Sequence, residues 1–141
     1  MSFISAPLPY KKAIVTSLFG TTAGRYLPHE GVDFGVSSGT PVLSIMDGKV
    51  TRAENHPALG GVVDVRHSNG LTTVYGHLSM CYVRVGQIVS AGQKIGLSGG
   101  GPGDSCAGRS MGPHLHFELR NAAGRAINPL PLLSTVLRME K

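Results

Sequence analysis

Turn-forming residues cut this chain into pieces that suit short β-strands better than helices. It has 20 glycines and 9 prolines among 141 residues, with glycine at about twice its usual share of about 7%. Pro41–Met46 and Lys49–Ala53 flank Asp47-Gly48, a dipeptide that favours a two-residue hairpin turn. Val62–His67 follows Gly60-Gly61, and Asn69-Gly70 leads into Leu71–His77 as the strongest hairpin signal in the chain. Val83–Val89 and Gln93–Leu97 lie around Ala91-Gly92, and His114–Arg120 follows the glycine-rich stretch Gly99–Gly112. Only Pro131–Met139 has helical spacing, through Leu132, Leu133, Val136 and Leu137. The expected class is all-β: one compact antiparallel sandwich or barrel with a groove and one short C-terminal helix. Residues 1–24 are expected to form an N-terminal extension packed on a domain of residues 25–141.

Composition narrows the function classes. Apolar residues make up 41% and charged residues 15%. A charged share below the typical value of about 25% excludes disorder by charge excess. No apolar run approaches the roughly 18 residues of a membrane span. The start lacks a basic segment followed by an apolar one, so no signal peptide is expected, and either delivery by other means or a chain cut from a longer protein is the expectation. The net charge of +5 favours polyanionic partners. Without an arginine-rich run or a basic stretch interleaved with aromatics, nucleic acid is not expected among them. A monomer is expected.

The strand His114–Arg120 carries the first chemical signal. With period two, Leu115, Phe117 and Leu119 fall on a core face. His114, His116, Glu118 and Arg120 fall on the other. Two histidines two positions apart on a strand point the same way and can serve one site, although a polar outer face produces the same spacing. His29 and Asp33, around Gly31, can converge on one cation, although taken alone they are better read as a loop histidine and a turn residue. Two imidazoles and one carboxylate with an open fourth position match a catalytic zinc site, whereas a closed structural site takes four protein ligands, often cysteines. His77, in Tyr75-Gly76-His77-Leu78-Ser79, is the third signal, expected on one face with Tyr75.

Taken in order, these segments resemble the lysostaphin/LytM-type zinc metallo-endopeptidases, which cut peptidoglycan peptides. The resemblance runs from Arg25-Tyr26-Leu27-Pro28-His29-Glu30-Gly31-Val32-Asp33-Phe34 through Gly39-Thr40-Pro41-Val42 and Asp47-Gly48-Lys49-Val50. It continues in His67-Ser68-Asn69-Gly70, Thr73–Ser79 and Gly92-Gln93-Lys94-Ile95-Gly96, and ends in Gly112–Arg120 and Asn128-Pro129. It implies His29, Asp33 and His116 as Zn2+ ligands, with His77 and His114 as catalytic residues beside the metal. The implied chemistry is amide hydrolysis, to which imidazoles bring proton transfer near pH 7. The implied substrate is the peptide cross-link of peptidoglycan, reached in the periplasm or outside the cell. A D,D-endopeptidase acting on a D-Ala–diaminopimelate cross-link is favoured, in a phage lysis or virion-associated setting among others. A glycine-bridge endopeptidase and a non-catalytic wall-binding or activator module are the alternatives.

Other features carry less. Gly96-Leu97-Ser98-Gly99-Gly100 matches a nucleophile elbow, but a glycine-rich stretch cannot start the helix that an elbow needs. Cys81 and Cys106 are expected as small buried hydrophobes, with a disulfide between them as the alternative. His56 is expected in a loop and His67 at a strand end. Glu118 is expected either to hold a ligand histidine in its tautomer or to be an exposed strand carboxylate. The Gly99–Met111 stretch, with Asp104, Cys106 and Arg109, is longer than family members tend to carry. The Thr40–Val50 hairpin and the loops around Gly60 and Gly99–Gly112 are expected to wall a groove for an extended peptide.

Overall fold

A computed structural model describes residues 4–10, 12–22, 27–100 and 112–140. Its strands are β1 (Lys12–Ser17), β2 (Val32–Gly35), β3 (Pro41–Leu43), β4 (Gly48–His56), β5 (Gly60–Arg66), β6 (Thr72–Cys81), β7 (Ile88–Val89), β8 (Lys94–Ser98), β9 (Leu115–Arg120), β10 (Ala126–Ile127) and β11 (Arg138–Glu140). One short helix, α1, covers Leu130–Leu133. The main sheet runs β11-β1-β2-β9-β6-β5-β4-β7, with β10 added to β9 and the β3–β8 pair joined through β6. The all-β expectation holds. The pairings are antiparallel except β1 with β11.

β6 organises the molecule. Its first half lies between β5 and β9, and its last residues pair with β8. The apolar sides of these strands close on one core of Phe34, Tyr75, Phe117, Ile45, Ile95 and Leu115 with smaller aliphatic residues around them. Phe117 and Tyr75 pack edge to face with centroids 5.4 Å apart, a geometry aromatic quadrupoles favour. The segment before β1 is also built in. Leu8 is buried, Ser5 N–H donates to Ile45 O, and Leu43 N–H donates to Pro7 O.

The Asn69-Gly70 hairpin joins β5 and β6 as expected, with Gly70 at φ +86°. The Asp47-Gly48 hairpin does not form. β3 pairs with β8, and β4 pairs with β5 and β7. Gly48 lies outside the left-handed region that a primed turn requires. Its glycine serves close approach instead: a Cβ would come within 2.6 Å of Val65 Cγ1 and 2.8 Å of His67 Nδ1. Val83–Val89 shortens to the two residues of β7. The helix expected over Pro131–Met139 stops after one turn. The Ser134 and Thr135 hydroxyls donate to Pro131 O and Leu132 O, competing with continued helix. The chain then turns, buries Leu137 and enters β11. Cys81 is exposed rather than buried, because it ends β6 beyond the core, and its Sγ lies 3.1 Å from Val83 O. Cys106 and residues 101–111, with the loop expected there, lie outside the described residues.

His67 is not a plain strand-end residue. It is buried, with Nδ1 2.8 Å from Asp47 O and Nε2 2.9 Å from Thr73 Oγ1. Thr73 Oγ1 is 2.9 Å from the Tyr75 hydroxyl, to which Ile45 N–H donates at 3.0 Å. The Asp47 carbonyl assigns the ring proton to Nδ1 and leaves Nε2 as acceptor. Burial lowers the His67 pKa despite the Asp47 carbonyl beside it. The unfolded chain therefore takes up a proton near pH 6.5 that the folded chain does not. The stability His67 contributes is full above that pH and is lost as pH falls through it. Unfolding free energies from urea titrations between pH 7 and pH 5 should fall more steeply in the wild type than in His67→Gln, by at most about 1.4 kcal/mol per pH unit. Equal slopes would contradict this account.

Candidate metal centre

The site grows from the pairing of β2 with β9. Asp33 stands directly opposite His116, and residues opposite each other in an antiparallel pair project from the same face. Gly31 lets the chain before β2 lie against β9. A Cβ there would overlap the Phe117 carbonyl and stand 3.0 Å from both His116 Cε1 and Glu118 Cγ. The close approach brings His29 over the same point. The backbone of His29 is clamped by Gly20 N–H, donating to His29 O, and by its own N–H, donating to Thr21 O.

Three donor atoms converge there. Asp33 Oδ1 lies 2.9 Å from His116 Nδ1 and 3.3 Å from His29 Nε2, and the two ring nitrogens are 3.2 Å apart. Three ligands at about 2.0–2.1 Å from one tetrahedral zinc would be about 3.3 Å apart. The triangle matches that edge length, and the two-imidazole, one-carboxylate set is a zinc donor set. All three residues are buried. The residues present fit a zinc ion.

The far nitrogens are oriented. His29 Nδ1 is 3.1 Å from Leu18 O and 3.0 Å from Ser17 Oγ, so its proton belongs on Nδ1 and its lone pair faces the centre. The β1–β2 register shifts between Val15 and Ser17, which brings Ser17 opposite Asp33. His116 Nε2 is 2.8 Å from Glu118 Oε2. Of the two expectations for Glu118, the exposed strand carboxylate is excluded: the residue is 3% exposed and meets the His116 ring. Burial alone would raise Asp33, but the His116 and His29 imidazoles beside it hold its carboxyl well below the usual range. Burial alone would lower His116, but hydrogen bonds to Asp33 and Glu118 push it up to about 9.

His77 and His114 flank this triangle. Their ring centroids are 4.5 Å apart, and His77 is 6.1 Å from His116. His114 Nε2 lies 3.8 Å from Asp33 Oδ1, and its Nδ1 is 2.9 Å from Gly112 O. That carbonyl assigns the proton to Nδ1 and makes Nε2 the basic nitrogen. His77 does not share a face with Tyr75. Tyr75 stands opposite Phe117 in the core, while His77 has φ +59°, the single left-handed non-glycine among the described residues. The β5–β6 register shifts between Gly61 and Val63 at this point. The irregularity turns the ring out of the core and toward His114. His77 N–H donates to Leu59 O, in a turn whose Ala58 and Leu59 N–H groups donate to His56 Nδ1.

The structure thus brings together all five residues singled out in the sequence. The elbow serine is elsewhere in role: Ser98 is buried at the end of β8, donating to Ser37 O and accepting from Thr40 N–H. The Gly60 turn borders the site through Leu59. The expected Thr40–Val50 wall is not a hairpin. The sequence reading missed Ser17 and the Leu18 carbonyl, which no local pattern marks.

The comparisons point to one family. Residues 27–129 match the sequence profile described as Peptidase family M23. Peptidoglycan DD-endopeptidase ShyA of Vibrio cholerae is 44% identical over 120 residues, covering 82% of this chain and 26% of that protein. The crystal structure of a zinc-containing peptidase from Vibrio cholerae superposes with a TM-score of 0.78 at 36% identity, covering 91% of this chain and 39% of that one. Lysostaphin, the antimicrobial peptidase of Staphylococcus simulans, superposes with a TM-score of 0.81 at 30% identity, covering 96% and 55%. The chain spans about a quarter of the length of the curated relatives it matches first. With a family match across most of its length and a converging His-Asp-His cluster at its centre, the chain belongs to peptidase family M23.

Proposed function

We propose that this chain is a zinc-dependent endopeptidase that hydrolyses peptide cross-links of bacterial peptidoglycan at the cell wall. One observation carries the reading: the buried His29–Asp33–His116 triangle has the edge lengths of a tetrahedral zinc site, with two further imidazoles beside it. His29 Nε2, Asp33 Oδ1 and His116 Nδ1 would hold the ion. When bound, zinc supplies Lewis acidity that acidifies water and polarises a carbonyl.

The remaining work falls to His77 and His114. Amide hydrolysis requires that a proton leave the attacking water, that charge on the carbonyl oxygen be stabilised and that the departing amine be protonated. Imidazole is suited to each near neutral pH. His114 has its Nδ1–H committed to Gly112 O and presents Nε2 toward the site, so it suits proton acceptance. His77 is held beside it by a left-handed backbone and suits donation to the oxyanion or amine. The identity with a named DD-endopeptidase supports a D-Ala–diaminopimelate cross-link as the substrate. The likeness to lysostaphin keeps glycine bridges in the test. No helix among the described residues is long and apolar enough to cross a membrane.

Purified walls of both cross-link types should be digested and the released peptides weighed by mass spectrometry. Release from the diaminopimelate wall, abolished by chelator and restored by zinc, is the expected result. No release from either wall by zinc-loaded protein would overturn the reading. His77→Ala and His114→Ala should keep one zinc per chain and lose about 10²–10⁴-fold in rate. His116→Ala and Asp33→Ala should lose the metal together with the activity. Full turnover by any of the four variants would contradict the role assigned to that residue.

A further inference from the structure

We propose that Glu118, Arg120 and Glu30 form a positioning relay that fixes the His116 ring and ties it to the segment carrying His29 and Asp33. The inference rests on the reading of His29, Asp33 and His116 as metal ligands. Glu118 is 3% exposed, and each of its oxygens has a partner. Oε2 meets His116 Nε2 at 2.8 Å. Oε1 accepts from Arg120 Nε at 2.8 Å and from Nη2 at 2.6 Å. Arg120 then divides its guanidinium: Nη2 also reaches Glu30 Oε2 at 2.9 Å, and Nη1 donates to Gly124 O at 2.9 Å. Glu30 is the residue next to His29.

Two features distinguish this from an ordinary ion pair. First, the carboxylate meets the one nitrogen of His116 that faces away from Asp33 and His29. A proton held on Nε2 leaves the Nδ1 lone pair aimed at the centre, which is how a carboxylate behind a ligand histidine raises metal affinity. Second, the guanidinium spans two elements. It joins β9, through Glu118, to the stretch before β2, through Glu30, across the contact that Gly31 keeps close. Nη2 bridges the two carboxylates while Nε makes a second bond to Glu118 and Nη1 is anchored on Gly124 O, a set of simultaneous contacts that a single ammonium nitrogen does not reproduce. The relay therefore acts on ligand orientation and not on the reacting atoms. Glu118, Arg120 and Glu30 are positioning residues.

The test is metal affinity in the intact chain. Zn2+ dissociation constants would be measured by competition with a chromophoric chelator, and visible spectra would be recorded for the Co2+-substituted protein. Glu118→Gln should raise the zinc dissociation constant about 10–100-fold and shift the Co2+ band, a signature that loss of stability alone does not move. Arg120→Lys carries the test if Glu118→Gln fails to fold: it should raise the constant about threefold or more, since charge is kept and the fork is lost. Glu30→Gln, at the exposed end of the relay, should weaken binding less than about fivefold. Wild-type affinity and an unshifted Co2+ band in a folded Glu118→Gln chain, or wild-type affinity in Arg120→Lys, would overturn the relay while leaving the metal site intact. A wild-type chain that binds no zinc would overturn the site reading and the relay with it.

Discussion

The register of β2 against β9 sets Asp33 across from His116, and a buried carboxylate is thereby placed between two imidazoles. A carboxylate in that position needs partners. Removing one side of a buried pair costs about 3–5 kcal/mol, because the other charge is left uncompensated. A slip of one residue in the register would send Asp33 and His116 to opposite faces and dismantle the cluster. Much of the surrounding structure can be understood as holding that register. Gly31 permits the close approach, Ser17 and the Leu18 carbonyl orient His29, and Glu118 closes the far side of His116.

The second constraint lies on β6. A regular strand would turn His77 into the core after Gly76. The left-handed backbone at His77 instead puts its ring beside His114. A non-glycine residue there costs about 1–2 kcal/mol, and such strain collects at functional positions where surrounding structure holds it. The holding contacts are visible. Leu59 O accepts the His77 N–H, and His56 Nδ1 caps the turn that carries Leu59. His56, expected in a loop, instead ends β4 opposite Gly60 and is part of what places His77.

The fold class was legible because it depends on short-range signals, whereas the five candidate site residues stood out only through the ordered resemblance to a family, each local pattern alone admitting a plainer reading. Asn69-Gly70 dictates a hairpin, and alternation along Leu115–Arg120 separates core from site. Most other strand partners were not legible. Asp47-Gly48 has hairpin chemistry, but its glycine is used for close packing against β5 and His67, and β3 finds β8 far along the chain. The C-terminal stretch has helical spacing, yet hydroxyl-to-backbone bonds stop the helix and parallel pairing with β1 takes over. Tyr75 and His77 were placed on one face because alternation assumes a regular strand. Ser17 could not be found from sequence at all, since its role follows from a register shift in β1.

X-ray absorption at the zinc edge of the loaded chain tests the central claim most directly. Nitrogen and oxygen neighbours at about 2.0–2.2 Å, an outer pattern of two imidazoles and no sulfur near about 2.3 Å are the result this account predicts. A sulfur contribution, or the pattern of a single imidazole, would place the metal on other residues and contradict it.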